Sequence, residues 1–203
     1  MGFVLFVLIA FFLLTATSGA YVFVLACVRK RETPWLDEEK IKKTTFGKYY
    51  DYIVASNKWL KDHNAKDIYL KSFDDLKLHG FWVSVDNPRG TVLLAHGYRS
   101  TPLIDFGYIF NFYHSRGFNL LIPHQRSHGD SQGRFITFGV KESEDMIGWI
   151  MLHNQIFGDY PLLLSGISMG ASTVLYLADR VLPSNVKRNY RRLRFYFTKR
   201  DYC

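Results

Sequence analysis

The strongest constraint on how this chain folds is a rhythm in its second half. Three short, uninterrupted apolar runs, Thr91 to Ala95, Phe118 to Ile122 and Pro161 to Ser165, are each separated from the next by a stretch of helical length. Strands that are apolar on both faces and alternate with helices describe a parallel sheet covered on both sides. The pattern upstream is different. Asp67 to Ser72 and Leu76 to Val85 alternate in polarity, are separated by Asp74-Asp75, and end at Asp86-Asn87-Pro88-Arg89-Gly90, the punctuation of an antiparallel hairpin. The expected fold class is therefore α/β: a hairpin first, then three parallel strands with flanking helices. No internal repeat or low-complexity linker interrupts it. A chain of 203 residues, 48% hydrophobic and 22% charged, can bury one core, and this composition excludes a disordered or collagen-like chain.

Residues 1–28 contain no charged side chain. As a helix, this stretch would span roughly 40 Å against a hydrocarbon core of about 30 Å, enough to cross a bilayer with tilt. It is read as a transmembrane helix. A cleaved signal peptide is the rival, because Ser18-Gly19-Ala20 is a small-residue cleavage site, although no basic region precedes it and eight apolar residues follow. Val24-Leu25-Ala26-Cys27 is also close to a lipoprotein box. Arg29-Lys30-Arg31 directly after the span, with no Lys or Arg before it, puts the following domain on the cytoplasmic side. Residues 29–64 read as a basic juxtamembrane stretch and an amphipathic connector helix. Thr33-Pro34 and Asp37-Glu38-Glu39 mark the helix start, and Phe46, Tyr49, Tyr50, Ile53 and Leu60 continue at helical spacing.

The formal net charge of +8 raises nucleic acid or an acidic surface as partners, but most of it is at one end. From Arg188 onward, six Lys or Arg and one Asp give +5, leaving +3 for residues 1–187. No nucleic-acid partner is expected for the main body. The two cysteines, Cys27 and Cys203, do not form a disulfide framework.

The chemistry centres on Gly166-Ile167-Ser168-Met169-Gly170, which follows Leu162-Leu163-Leu164 directly and precedes a good helix from Ala171. Strand, sharp turn and helix are in the register that a nucleophile elbow needs. The turn pushes the Ser168 hydroxyl clear of the backbone, and glycines at 166 and 170 let strand and helix approach. A serine attacking a carbonyl also needs donors for the oxyanion. The run Leu93-Leu94-Ala95-His96-Gly97-Tyr98 ends a second apolar strand where a backbone amide can reach the same cleft, so the Tyr98 and Met169 N–H groups are the expected pair. His96, at a strand end before glycine, is read as a structural hydrogen-bonding residue rather than a general base. A metal reading of His124 and His128 fails, because Ser127 and Gly129-Asp130 interrupt any helix that would align them.

These motifs, His96-Gly97, Pro123 to Gly133, Gly139 to Asp145 and Gly166 to Gly170, resemble in order those of the α/β-hydrolase superfamily. The resemblance is closest to its bacterial membrane-anchored branch, related to serine aminopeptidases and lysophospholipase-like esterases. It covers about residues 65–187. It implies Ser168 as nucleophile, no cofactor, and a small-molecule or peptide substrate carrying an ester, thioester or amide. It also makes Arg126, His128, Gly129, Ser131 and Gly133 builders of a loop after the fourth strand.

The chain departs from that family in one respect. The superfamily order is nucleophile, acid, then histidine, yet all seven histidines precede Ser168 and only 35 residues follow it. The triad acid and histidine are therefore expected to be missing and the 203-residue chain to be inactive. Residues 188–203 have neither helical nor strand periodicity. One functional reading of this tail is a basic arm, with Tyr190, Phe195 and Tyr196 available to stack, on a non-catalytic membrane protein that binds an acidic partner. A frameshift near Lys187 accounts for it more simply. One permitted back-translation of the tail, read one nucleotide later, gives Gly-Ile-Ile-Ala-Asp-Cys-Gly-Phe-Thr-Ser-Pro-Lys-Glu-Ile-Ile, which is an apolar strand, a turn and a helix start. The expected nucleotide sequence beyond codon 187 therefore holds, in the shifted frame, a long open stretch carrying an acid and a histidine. A shifted frame closed by early stops contradicts this.

Overall fold

A computed structural model of the chain describes residues 2–30, 38–43 and 47–187. The first element, α1 (Gly2–Cys27), is one continuous helix with none of its residues buried. It is long and apolar enough to cross a membrane. The connector differs from the single helix expected. Its described part consists of α2 (Glu38–Lys42), a 3₁₀ turn (Gly47–Tyr49) and α3 (Tyr50–Asp62). A Cβ on Gly47 would come within 2.6 Å of the Lys42 carbonyl oxygen, so a side chain has no room there. Ile41 and Ile53, one on each segment, are both fully buried. The expected helix start at Thr33 to Asp37 lies outside the described residues, as does the basic tail from Arg188.

The hairpin is β1 (Lys66–Lys71) and β2 (Lys77–Val83), in antiparallel register from Lys66 opposite Trp82 to Lys71 opposite Lys77. There follow β3 (Gly90–Ala95), α4 (Pro102–His114), β4 (Phe118–Pro123), α5 (Val140–Phe157), β5 (Leu162–Gly166), α6 (Met169–Leu175) and the two-residue β6 (Val186–Lys187). The sheet order is β1-β2-β4-β3-β5-β6, with β4, β3, β5 and β6 parallel. Alternation along the strands divides the core between two faces. Val92, Leu94, Leu120 and Ile122 pack with Leu103, Phe106 and Phe110 of α4 and with Ile53 of α3. Leu93, Leu121 and Leu162 pack with Met146, Trp149 and Ile150 of α5 and Val174 of α6.

The strand that leads to Ser168, β5, pairs with β3 on one side. In the structure β6 covers its beginning, pairing Leu162 with Val186 and Leu163 with Lys187. The reason is local: Asn185 and Asn154 of α5 exchange amide hydrogen bonds of 2.9 and 3.1 Å, and Asn185 also donates to the Tyr160 carbonyl at 2.8 Å. Those bonds hold β6 in place and bury Val186. Beyond Leu163, β5 has no partner on that side among the described residues.

The long loop between β4 and α5 is tied down by one buried cation. Arg126 donates to both carboxylate oxygens of Asp145 on α5 at 2.6 Å, and to both oxygens of Asp74 in the β1–β2 turn at 2.9 and 3.0 Å. Burial pulls the Asp145 carboxyl upward, and the guanidinium fork opposes it. Asp74 is held well below the usual carboxylate range, chiefly by its hydrogen bonds to Arg126. A depressed folded-state value means that the Asp74 contribution is fully present above the unfolded value near 4 and is lost as pH falls through the folded one. Asp74→Asn is expected to cost about 1–2 kcal/mol at pH 7, and the stability gap to wild type should close as pH drops below about 3. A gap independent of pH in urea titrations counts against this assignment.

Candidate active site

The site begins where β5 runs out. Ser168 has φ 53° and ψ −116°, a conformation that L side chains avoid and that costs of order 1–3 kcal/mol. The surrounding backbone enforces it. Ile167 N–H donates to the Ala95 carbonyl at 3.1 Å, which locks the turn to the end of β3. Gly170 N–H then donates to the Ile167 carbonyl at 2.9 Å, and the Ser168 carbonyl accepts from Ala171 and Ser172 at 2.9 and 3.1 Å, which starts α6. A Cβ on Gly166 would overlap the Gly170 carbonyl, and one on Gly170 would overlap the carbonyl of Ala95. Both glycines are therefore required by the close approach of strand, turn and helix. The Ser168 side chain is exposed, and Met169 beside it is buried.

The end of β3 lies against this turn. A Cβ on Gly97 would meet Ser168 Cβ and the Ile167 carbonyl oxygen, each at 3.4 Å. The Gly97 N–H is already spent, donating to Asp105 Oδ2 at 2.6 Å, while Ser100 Oγ donates to Asp105 Oδ1 at 2.8 Å. Burial pushes the Asp105 carboxyl up, against these two hydrogen bonds. Asp105 is not marked out as a site residue by its sequence context. Its only signal was an acidic residue in the first turn of α4. Among the described residues neither the Tyr98 nor the Met169 main-chain N–H has an acceptor.

His96 is fully buried, with both ring nitrogens engaged. Nε2 accepts from Gln125 N–H at 3.0 Å and Nδ1–H donates to the Gly97 carbonyl at 2.9 Å. Burial holds its pKa well below the ordinary histidine value, so it is neutral. Gln125, unforeseen from the sequence, links the layers under the elbow. Its amide donates to the His96 carbonyl, and its Oε1 accepts from Thr173 Oγ1 of α6 at 3.1 Å.

The Arg126 to Gly133 stretch folds as a self-bonded loop. His128 Nε2 accepts from Arg99 N–H at 3.0 Å, and Nδ1–H donates to the Arg126 carbonyl at 2.9 Å. Ser131 Oγ donates to the His124 carbonyl at 2.6 Å and accepts from His79 N–H at 2.9 Å. Gly129 and Gly133 have positive φ, and a Cβ on either would strike the His124 ring or the Ser127 hydroxyl. His124 is turned toward His79, with their Nδ1 atoms 2.9 Å apart. Asp130 completes a group of three whose ligand atoms lie within 4.8 Å of one another. His79 Nε2 is bonded to Asp67 at 2.8 Å, so the cluster reads as a hydrogen-bonded chain from Asp67 through His79 to His124. No histidine reaches Ser168 among the described residues.

No protein-family model matches the sequence, and no curated protein sequence does; the likeness to known proteins is structural. The chain is similar to the esterase Pf2001 of Pyrococcus furiosus at 27% identity and a TM-score of 0.55, over 60% of this chain and 50% of that one. It is similar in fold to the α/β hydrolase GrgF of a Penicillium species (17%, TM-score 0.53, 56% and 41% covered). A Vibrio vulnificus α/β hydrolase shares the fold too (21%, TM-score 0.51, 63% and 45%). The match thus spans about half the length of the esterase. With its mixed sheet and flanking helices, the chain has the fold of these α/β hydrolases and is similar to the esterase.

Proposed function

We propose that Ser168 is the nucleophile of a membrane-anchored serine hydrolase acting on an ester, thioester or amide. Ser168 Oγ attacks the carbonyl carbon and its proton passes to a base. The resulting oxyanion accepts hydrogen bonds from the Tyr98 and Met169 N–H groups. Collapse of the tetrahedral intermediate breaks the bond to the alcohol, thiol or amine and leaves acyl-Ser168, which water then hydrolyses. The observation that carries this reading is the strained turn, an exposed serine at φ 53° beside main-chain amides with no acceptor of their own. The Asp105 bond supports Tyr98 rather than Gly97 as donor, since it occupies the Gly97 amide.

Anchoring is supported by α1, which runs without a linker into contacts with the domain, and the basic residues after it argue for the cytoplasmic side. The base is not found among the described residues. With His96 and His128 both saturated by backbone partners, none of the described histidines serves Ser168, and residues 188–203 contain none. Loss of a triad histidine costs on the order of 10⁶ in kcat, leaving only what the oxyanion donors and binding supply. The chain of 203 residues is therefore expected to label slowly and to turn over little.

The test is prolonged incubation with a fluorophosphonate, followed by peptide mapping. Slow stoichiometric phosphonylation of Ser168 is expected, abolished in Ser168→Ala. Gly170→Ala should lose labelling as well and cost about 1–3 kcal/mol of stability, because its methyl group has no space against β3. A label on another residue, or an undiminished signal in Ser168→Ala, rejects the assignment.

A further inference from the structure

The last turn of α1 is bonded to the segment after β3, which lies against Ser168, and to the loop after β4. Tyr98 Oη donates to the Ala26 carbonyl at 2.8 Å, and Arg99 donates to the carbonyls of Leu25 and of Val28, the latter at 3.3 Å. Arg29 forks onto the Gly129 and Ser131 carbonyls, both at 2.6 Å, and its N–H donates to the Arg134 carbonyl at 2.8 Å. Ile136 N–H donates to the Cys27 carbonyl at 2.7 Å, and the Phe23 and Phe135 rings lie 5.5 Å apart. The free carbonyls at the end of the helix are thus capped by the domain itself, with cations where the helix dipole favours them.

This docking fixes the height of the site relative to the bilayer. A 26-residue helix is about 39 Å long, so if it spans a hydrocarbon core of about 30 Å its last turn sits in the headgroup layer. Phe135, beside Phe23, is then at the hydrocarbon edge. Phe138 stacks on Tyr98 with ring centroids 5.1 Å apart, and a Cβ on the neighbouring Gly139 would come within 2.9 Å of the Tyr176 ring at the end of α6. Phe135, Phe138 and Tyr176 are 41%, 44% and 49% exposed, an aromatic surface that reaches the oxyanion-hole candidate through the Phe138–Tyr98 stack. Aromatic rings of this kind favour the membrane interface, and the exposed Lys30 and Arg134 suit anionic headgroups beside them.

We infer that the mouth of the Ser168 site opens onto the membrane surface, and that its substrates are amphiphilic acyl esters or thioesters that reach the serine from the leaflet rather than from bulk water. This inference rests on the hydrolase reading and narrows its substrate class. Phe135, Phe138 and Tyr176 dip into the headgroup region, and the Tyr98 amide lies one residue from the helix-capping Arg99. An acyl chain held in the leaflet can then bring its carbonyl to Ser168 without leaving apolar surroundings.

The test uses the full chain with Cys27 and Cys203 replaced by serine, reconstituted into vesicles of phosphatidylcholine and phosphatidylglycerol. Spin labels at Phe138→Cys and Tyr176→Cys are expected to collide more with oxygen than with a water-soluble nickel chelate, and a label at Tyr69→Cys on β1 to show the reverse. Equal, water-like accessibility at all three positions overturns the placement. In the same vesicles a hexadecyl fluorophosphonate should label Ser168 at least tenfold faster than an ethyl one. Equal rates with shallow spin labels overturn the substrate class. Failure of both probes at Ser168, with the spin labels still at interfacial depth, overturns instead the hydrolase reading on which the class depends.

Discussion

The contact between the end of β3 and the turn after β5 is where the structure has least room for change. Ile167 donates to Ala95, Gly170 presses on the Ala95 carbonyl, and Gly97 lies against Ser168. Three backbone segments meet with no space for a side-chain carbon at positions 166 or 170, and Ser168 is left in a conformation it would not choose alone. The parallel pairing of β3 with β5, from Thr91 opposite Leu162 to Ala95 opposite Gly166, supplies the rigidity that maintains the strain. Strain of this kind persists only where the surroundings over-determine it, and here a five-residue ladder, the Ile167 bond and the start of α6 all do so.

Around that contact the buried polar groups are almost all spent on architecture. His96, Gln125 and Thr173 join β3, the end of β4 and α6 in one network. Arg126 joins the loop after β4 to α5 and to the hairpin turn. His128 joins that loop to the segment after Gly97. Each side chain saturates its partners, as buried groups in a low-dielectric interior must. By contrast, the Tyr98 and Met169 amides and the Ser168 hydroxyl are left without partners among the described residues. That contrast, more than any one distance, separates the candidate site from its scaffold.

Much of this was legible in the sequence because it follows from periodicity and local sterics. The hairpin and the three parallel strands emerged from alternating and continuous apolar runs, and the elbow from glycines flanking a serine between strand and helix. The unread parts depend on distant partners. Nothing around Asp105 marks it as the acceptor of the Gly97 amide, since that contact exists only once α4 folds back beside β3. That α2 and α3 are separate helices is invisible to a helical-spacing argument, which sees only the apolar positions. Strand β6 escaped because a two-residue strand has no period, and it is held by an asparagine pair 31 residues apart. The seating of α1 on the loops after β3 and β4 was equally hidden, being made mainly by carbonyl oxygens that every sequence possesses.

The central claim is that the strained turn holds the Ser168 hydroxyl where two main-chain amides can receive an oxyanion. The most direct measurement is a crystal structure of the chain carrying a phosphonate adduct on Ser168. The account requires one phosphonyl oxygen to accept from both the Tyr98 and Met169 nitrogens at about 2.7–3.1 Å, with φ of residue 168 still positive. An adduct whose oxygens face solvent, or a Ser168 relaxed into helical geometry, would contradict it.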